Sequence, residues 1–302
     1  MSSSPFQSAF WVHHPIADQT AEPFATATLA FAKKAGGDFI KLTPSGTWQS
    51  VGHGAVDEVW PDDVIGRRRV VVPAVREPRD WANLPDWRST SLPAIVQEML
   101  RGAELVVDGA SGIPVLATVF NPMTQAFQLA GGPALLDIIL ANPVAFDAGL
   151  RTITANTEYL IEQFADRGVR GLYLSTHMMQ PGLCPTSEYR AWSDNDVLHK
   201  ALECGLDPVV FHLHGPEIQP AFAPDLDERV ILHLEAGAAK VEGRPVWVGV
   251  PQQELRACAT PADFRELKHR YNPHGPMTAG CCTTLDVPHE EIAAWNAWAK
   301  LG

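Results

Sequence analysis

Two histidines lie two positions apart in one short apolar segment. His212 and His214 occur in Val209–His214, and alternate residues of a strand point to the same face. We therefore expect both imidazoles on one buried face, beside Gly215. A buried core pair is the alternative, but the arrangement is unusual for packing. Imidazole binds metals and exchanges protons near neutral pH, so the spacing predicts a functional site here.

Two further ionisable residues fall within apolar segments. Lys41 lies inside Phe39–Pro44, where an unpaired charge is costly, so we expect it to have a catalytic role. Glu235 shares one face of its segment with His233 by the same alternation. If that face points inward, Glu235 is a candidate general base or metal ligand.

Polar residues also follow other apolar segments. His13 and His14 end the first segment, and we expect His13 to line the site. Asn121 and Gln125 come after a segment that ends at Phe120 and could hydrogen-bond a substrate. His177 follows another such segment and is a further catalytic candidate.

The elements that must position these residues are short apolar segments bounded by Gly, Pro or Asp. Such segments are typical of strands buried on both faces of a parallel sheet. We predict eight of them: Phe10–His14, Phe39–Pro44, Val115–Phe120, Gly171–Thr176, Val209–His214, Val230–Glu235, Val246–Val250 and Met277–Cys281.

Helical patterns lie between most of these segments. They are Ala21–Ala35, Pro93–Val107, Leu150–Arg167, Ser187–Cys204, Pro261–His269 and Pro288–Leu301. Alternation of strands and helices predicts right-handed βαβ units. Eight strands predict one (β/α)8 TIM barrel of the α/β class over residues 1–302, with an open doubly wound sheet as the alternative. Residues 58–93 form an excursion between the second and third strands, with a hairpin expected around Val70–Val75.

Net charge, apolar segment length and cysteine count restrict the classes of partner and the compartment that we expect. The formal net charge of the 302 residues is −12, and the only basic cluster, Arg67 to Arg69, is interpreted as a solvated turn, so we expect no nucleic acid. No apolar segment is long enough to span a membrane. Five scattered cysteines are typical of a reducing cytoplasm rather than a disulfide framework.

Several segments, taken in order, resemble the uroporphyrinogen decarboxylase-like superfamily. They are Asp38–Ser45, Pro114–Gln125, Ser187–Tyr189 with Asp196–Leu198, Phe211–Gly215, and Gly280–Cys281 with Pro288. The resemblance covers nearly the whole chain and implies a barrel with its site in the mouth. It also implies that Ser45, Asn121 and Gln125 contact a small-molecule substrate.

One branch of this superfamily transfers methyl or alkyl groups to thiols and binds zinc through His-x-Cys and a later Cys. The matching residues here are His212, His214 and Cys281, so the resemblance implies a zinc site with these ligands, with His in place of one Cys. It implies a thiol or a corrinoid protein as the partner. Cys282 is expected to point elsewhere.

Another branch decarboxylates porphyrinogens and binds their carboxylates with arginines of an N-terminal segment. The first apolar segment here has no arginine, and the first arginine in the chain is Arg67, so we expect that uroporphyrinogen is not the substrate. Two alternatives to the transferase remain. One is a metal-free decarboxylase in which Lys41 or a histidine protonates the carbanion, and the other is a non-catalytic barrel that binds a corrinoid or a partner protein.

Overall fold

The computed structural model describes residues 5–180, 182–185, 187–215, 226–237, 244, 246–272 and 275–301. Within these residues the strands are β1 (Ile40–Lys41), β2 (Val56–Val59), β3 (Arg68–Val72), β4 (Val115–Phe120), β5 (Gly171–Thr176), β6 (Val209–Leu213), β7 (Ile231–Glu235), β8 (Val246–Val250) and β9 (Thr278–Ala279).

The helices are α1 (Ala21–Ala35), α2 (Trp48–Gly52), α3 (Ala94–Gly109), α4 (Pro122–Leu129), α5 (Ala134–Ala141), α6 (Pro143–Asp166), α7 (Ala191–Glu203), α8 (Gln252–Ala257), α9 (Pro261–Tyr271) and α10 (His289–Ala299). Short 3-10 turns occupy Ala17–Gln19 and Pro78–Asn83. None of the described helices is both long and apolar enough to cross a membrane.

In the described part of the chain, seven strands form one parallel sheet in the order β1-β4-β5-β6-β7-β8-β9. Chain order and spatial order agree throughout. A doubly wound sheet reverses its strand order at one point, and this sheet does not. The α/β class is therefore confirmed, and the architecture is a curled parallel sheet consistent with a TIM-like barrel.

The first predicted strand, Phe10–His14, is not a strand in the structure. The N-terminal segment contacts the sheet earlier in the chain, at Ser8, which forms an isolated parallel bridge with Met277 just before β9. The Ser8 carbonyl also accepts a hydrogen bond of 2.9 Å from the Asp38 backbone N–H, just before β1. This segment thus bonds to residues next to both edge strands. Apolar burial correctly identified an inner segment but not its hydrogen-bonding register.

Aromatic side chains fill the base of the sheet's inner face. Trp11, Phe39, Tyr173 and Trp247, here called the aromatic floor, are all buried. Phe39 stacks on Trp247 with ring centroids 6.0 Å apart, and Trp11 meets Tyr173 edge-on at 5.5 Å. The register pairs Ser175 with His212 one step nearer the carboxyl ends of the strands. Polar side chains therefore begin directly above an apolar layer.

The predicted excursion contains an antiparallel hairpin, β2–β3, which begins earlier than expected. Arg68 on β3 pairs with Asp57 on β2 at 2.8 Å. The turn between the strands reaches back to the end of the chain, where Leu285 N–H donates to the Val64 carbonyl at 2.8 Å. Interpreting the basic cluster as a solvated turn was therefore wrong for Arg68, which is a strand residue with a buried carboxylate partner.

The contact between β8 and β9 depends on a glycine. Gly249 pairs with Thr278, and a Cβ atom placed at Gly249 would contact the Gly280 backbone and approach the Ala279 carbonyl oxygen to 2.7 Å. Neither backbone atom can rotate away as a side chain can. Only glycine allows these two strands to approach this closely.

We predict that Gly249→Ala destabilises the protein by about 3 kcal/mol, since overpacking against backbone forces the strands apart. Gly46→Ala is the matched control, because its added Cβ would meet only a Phe120 ring atom at 3.7 Å. Urea unfolding of both variants measures the difference. Equal stability of the two variants would show that β9 does not pack as described.

Candidate functional site

A cysteine, a histidine and a glutamate lie in one line at the carboxyl ends of the strands. His214 Nε2 is 3.0 Å from Cys281 Sγ, and His214 Nδ1 is 3.2 Å from Glu235 Oε1. The imidazole thus lies between a thiol and a carboxylate, with one ring nitrogen facing each. This is the arrangement of an activated cysteine whose base is oriented by a third group.

Three different elements deliver these side chains. His214 directly follows β6, Glu235 ends β7, and Cys281 follows β9. In parallel barrels the carboxyl ends of the strands meet on one face, where active sites lie. Gly215 locks the geometry, because its N–H donates to Glu235 Oε1 at 2.9 Å. Its φ of +110° is one that glycine adopts without strain.

The charges of this line stabilise one another. Burial lowers the pKa of His214, but the Cys281 thiolate and Glu235 outweigh burial and raise it to about 10. A hydrogen bond from Cys282 lowers the pKa of Cys281, and against burial the charge of His214 lowers it further, to well below the ordinary range. Both shifts favour a thiolate and an imidazolium over the neutral pair near neutral pH.

His212 does not join this line. Its Nε2 lies 3.0 Å from the Gly280 carbonyl oxygen and its Nδ1 lies 3.2 Å from Ser175 Oγ. A carbonyl oxygen can only accept, so Nε2 carries the proton and Nδ1 accepts from the serine. Burial, followed by neighbouring positive charges, lowers the pKa of His212 well below its ordinary range. His212 is a neutral imidazole with both nitrogens occupied.

The three predicted zinc ligands do not converge on one point in this arrangement. His214 and Cys281 are adjacent, but both nitrogens of His212 are engaged elsewhere. Among the described residues, no group of three or more His, Cys, Asp or Glu side chains is arranged to hold a metal ion. Three protein donors converging on one point, as a catalytic zinc site needs, are therefore not found among the described residues.

Lys41 of β1 lies among the rings of the aromatic floor, on the inner face of the sheet. Its Nζ is 4.9 Å from the Trp11 ring centre and 5.2 Å from that of Tyr173, so two cation–π contacts replace an ion pair. Burial lowers its pKa, and the nearby cysteines oppose that effect. Within the described chain no carboxylate pairs with Lys41, so its charge acts on the cysteines above it.

Two other histidines also face this interior. Burial lowers the pKa of His13 to about 4 and that of His233 to about 3. Nδ1 of each is buried and makes no hydrogen bond with the described residues. His14, by contrast, packs against Phe31 of α1, with ring centroids 6.3 Å apart. His13 is thus buried in the interior, whereas His14 lies against a helix.

Three of the polar residues predicted to contact substrate are engaged within the protein. Asn121 caps α4 and donates to Tyr189 and Asp194, both at 2.8 Å. Gln125 Nε2 donates to the Phe120 carbonyl at 2.8 Å. Ser45 is buried and its Oγ lies 3.4 Å from Thr47 Oγ1. The structure does not bring these three residues to the Cys281 line.

His177 lies beside the line without entering it. Its ring centroid is 4.5 Å from that of His214, and its backbone N–H is held by Thr124 Oγ1 at 3.0 Å. Burial, followed by the charge of His214, lowers its pKa to about 3. His177 is therefore a neutral ring that packs against the His214 imidazolium.

Two residues near the site were missed by sequence reasoning. The Cys282 thiol lies close enough to Cys281 to lower its pKa, because both residues lie in a loop where strand alternation does not apply. Burial raises the pKa of Cys282, so it is a thiol beside a thiolate. Arg67 was grouped with a solvated turn, and its charge reaches the cysteines. The adjacent cysteines were the one sequence feature that could have indicated these contacts.

Comparison with protein-family profiles and with curated proteins finds no match to this chain. Solved structures do match. A methyltransferase from Methanosarcina mazei superposes with a TM-score of 0.63 at 14% identity, over 99% of this chain and 93% of its own. A B12-independent methionine synthase from a Shewanella species, in complex with selenomethionine, has a TM-score of 0.57 at 13% identity, over 99% and 98%. At these identities the likeness shows a shared fold.

We predict that His214 stays doubly protonated from pH 6 to pH 8, because the thiolate and the carboxylate hold both of its protons. Nitrogen-15 NMR of labelled histidines measures this, with His214→Gln assigning the resonances. Titration of His214 near pH 6.5, or one permanently deprotonated ring nitrogen as in a metal-bound imidazole, would contradict the ion pair.

Proposed function

We propose that the protein is an enzyme of the transferase kind in which the Cys281 thiolate takes a carbon group from a small substrate in the mouth of the barrel. The observation that carries this proposal is the Nε2 to Sγ distance of 3.0 Å with Glu235 at the other ring nitrogen. A thiolate is the nucleophilic form of cysteine, and a neighbouring imidazolium maintains it at neutral pH.

In the first half of the reaction, Cys281 Sγ attacks the electrophilic carbon of the donor. A sulfur–carbon bond forms, and the bond from that carbon to its leaving group breaks. The leaving group departs with the electron pair and takes the proton from His214 Nε2, which leaves the imidazole neutral. Glu235 is a positioning residue, since it holds the imidazole with Nε2 towards the sulfur.

In the second half, an acceptor thiol gives its proton to His214 and attacks the carbon held on Cys281. The Cys281 sulfur–carbon bond breaks, and the thiolate and imidazolium are restored. Atoms and charges balance over the cycle without a redox partner. The two similar structures are a methyltransferase and a methionine synthase, so a methyl group is our first candidate. An acyl group is the second, because a thiolate leaves an acyl carbon more readily than an alkyl carbon.

The surrounding residues have supporting roles in this proposal. The charges of Lys41 and the two cysteines attract one another, so Lys41 favours negative charge on sulfur. His13, with an unpaired buried Nδ1, provides a polar contact for the substrate. The aromatic floor closes the barrel below and excludes water, which strengthens electrostatic interactions above it.

We predict that iodoacetamide alkylates Cys281 of the wild-type protein about tenfold faster than it alkylates His214→Gln at pH 6.5. An ordinary thiol with a pKa of about 8.5 is only about 1% thiolate at that pH. The low-pKa thiolate is intrinsically less nucleophilic, which offsets part of this advantage. Mass spectrometry with fragmentation measures the rate at Cys281 separately from Cys282, across pH 5 to pH 9.

The sign of the pH effect follows from the lowered pKa of Cys281. The wild-type rate stays level as the pH falls to 6, whereas the His214→Gln rate falls with each unit. His177→Gln is the matched control, because its ring lies beside His214 without bonding Cys281, and it keeps the wild-type profile. Identical profiles for wild type and His214→Gln would refute the proposed role of the pair.

A further inference from the structure

The turn between β2 and β3, residues 60–67, lies over the loop that carries Cys281. Its backbone bonds Leu285 through Val64. A Cβ at Gly66 would approach Leu285 to 2.9 Å and Pro15 to 3.1 Å, so the turn is tightly packed against that loop. The turn thus forms one wall of the mouth.

Arg67 is the last residue of this turn. One edge of its guanidinium bonds Asp63, and the other edge is free to bind a ligand. Nη2 contacts Asp63 Oδ1 at 2.6 Å, and Nε lies 3.1 Å from the same oxygen. The guanidinium also packs over the Trp60 ring at 5.0 Å. Nη1 makes no hydrogen bond within the described residues, and the side chain is 40% exposed. Asp63 and Trp60 therefore hold the cation in place while leaving one N–H edge open.

The charge of Arg67 acts on the reactive residues. The hydrogen bond to Asp63 contributes most to raising its pKa, and Cys281 and Cys282 raise it further. The charge of Arg67 in turn helps to lower the pKa of His177. The open guanidinium edge therefore lies within electrostatic reach of the nucleophile.

The other charges that the described residues bring near Cys281 are already engaged. His214 is positive between Cys281 and Glu235, Asp63 is paired with Arg67, and Lys41 is enclosed by rings below. Among the described residues of this region, Arg67 is therefore the cation that an arriving ligand can reach. A guanidinium edge matches the planar geometry of carboxylates and other oxyanions.

We infer that the substrate carries an anionic oxygen group, such as a carboxylate, which Arg67 binds through its open Nη1 edge while the reacting carbon lies at Cys281. This inference rests on the proposed nucleophilic role of Cys281 and adds the class of substrate. Arg67 is a specificity-determining residue in it, and its contacts with Asp63 and Trp60 fix its guanidinium on the packed turn.

Two alkylating probes of similar size separate charge recognition from reactivity. Iodoacetate carries a carboxylate beside its reactive carbon, and iodoacetamide is its neutral counterpart. Their rate ratio at Cys281 is measured at pH 6.5 and constant ionic strength, in the full-length protein. Arg67→Gln removes the cation. Arg69→Gln is the matched control, since it removes the same charge from the same hairpin where Arg69 pairs with the exposed Glu58.

We expect Arg67→Gln to lower the iodoacetate-to-iodoacetamide ratio about fivefold, somewhat less than a buried charge-assisted hydrogen bond would give. We expect Arg69→Gln to leave the ratio unchanged. The iodoacetamide rate of each variant reports whether the thiolate site remains folded. An unchanged ratio in Arg67→Gln with a normal iodoacetamide rate overturns the inference.

A measurement on the wild-type protein covers the case in which Arg67→Gln does not fold. Sodium acetate, with chloride adjusted to keep ionic strength constant, should slow the alkylation of Cys281 by iodoacetate until the effect saturates. Absence of saturable protection overturns the anion site. Slow iodoacetamide reaction of the wild-type protein at pH 6.5 instead contradicts the nucleophilic role, so the two failures are distinguishable.

Discussion

The contact between the His214 imidazolium and the Cys281 thiolate is the interaction on which the site depends. Three strands must end in register for it to form, because His214, Glu235 and Cys281 follow or end β6, β7 and β9. Partly buried charges are tolerated when each has a partner, and removal of one partner leaves the next charge uncompensated. The charge at the sulfur, the proton on the imidazole and the position of Glu235 are therefore set together.

The layers around this contact explain why it persists. The aromatic floor fills the inner face of the sheet below, and Lys41 lies beside two of its rings. His212 and His233 stack at 4.5 Å and remain neutral, so they add no charge that would compete with His214. A polar interior of this kind stabilises the fold less than an apolar one. Its presence above a well-packed apolar layer is typical of a site selected for chemistry.

Sequence periodicity predicted most of the sheet but not the details of the site. Buried segments such as Gly171–Thr176 have the predicted bounds because both of their faces are buried. Strand alternation placed His212 and His214 on one face, yet His214 lies beyond the end of β6, where a left-handed Gly215 turns the backbone towards Glu235. The partners of each ring nitrogen depend on such turns, which hydrophobic periodicity does not encode. Arg67 escaped notice for a related reason, since only tertiary packing brings a distant hairpin over the mouth.

The most direct test of this account is a crystal structure of the protein purified without chelator, with anomalous data collected at the zinc edge. We expect His214 Nε2 and Cys281 Sγ in direct contact, near the 3.0 Å described here, and no anomalous density between them. A zinc peak bonded at about 2.0–2.1 Å to nitrogen and about 2.3 Å to sulfur would contradict the ion pair and make Cys281 a metal ligand.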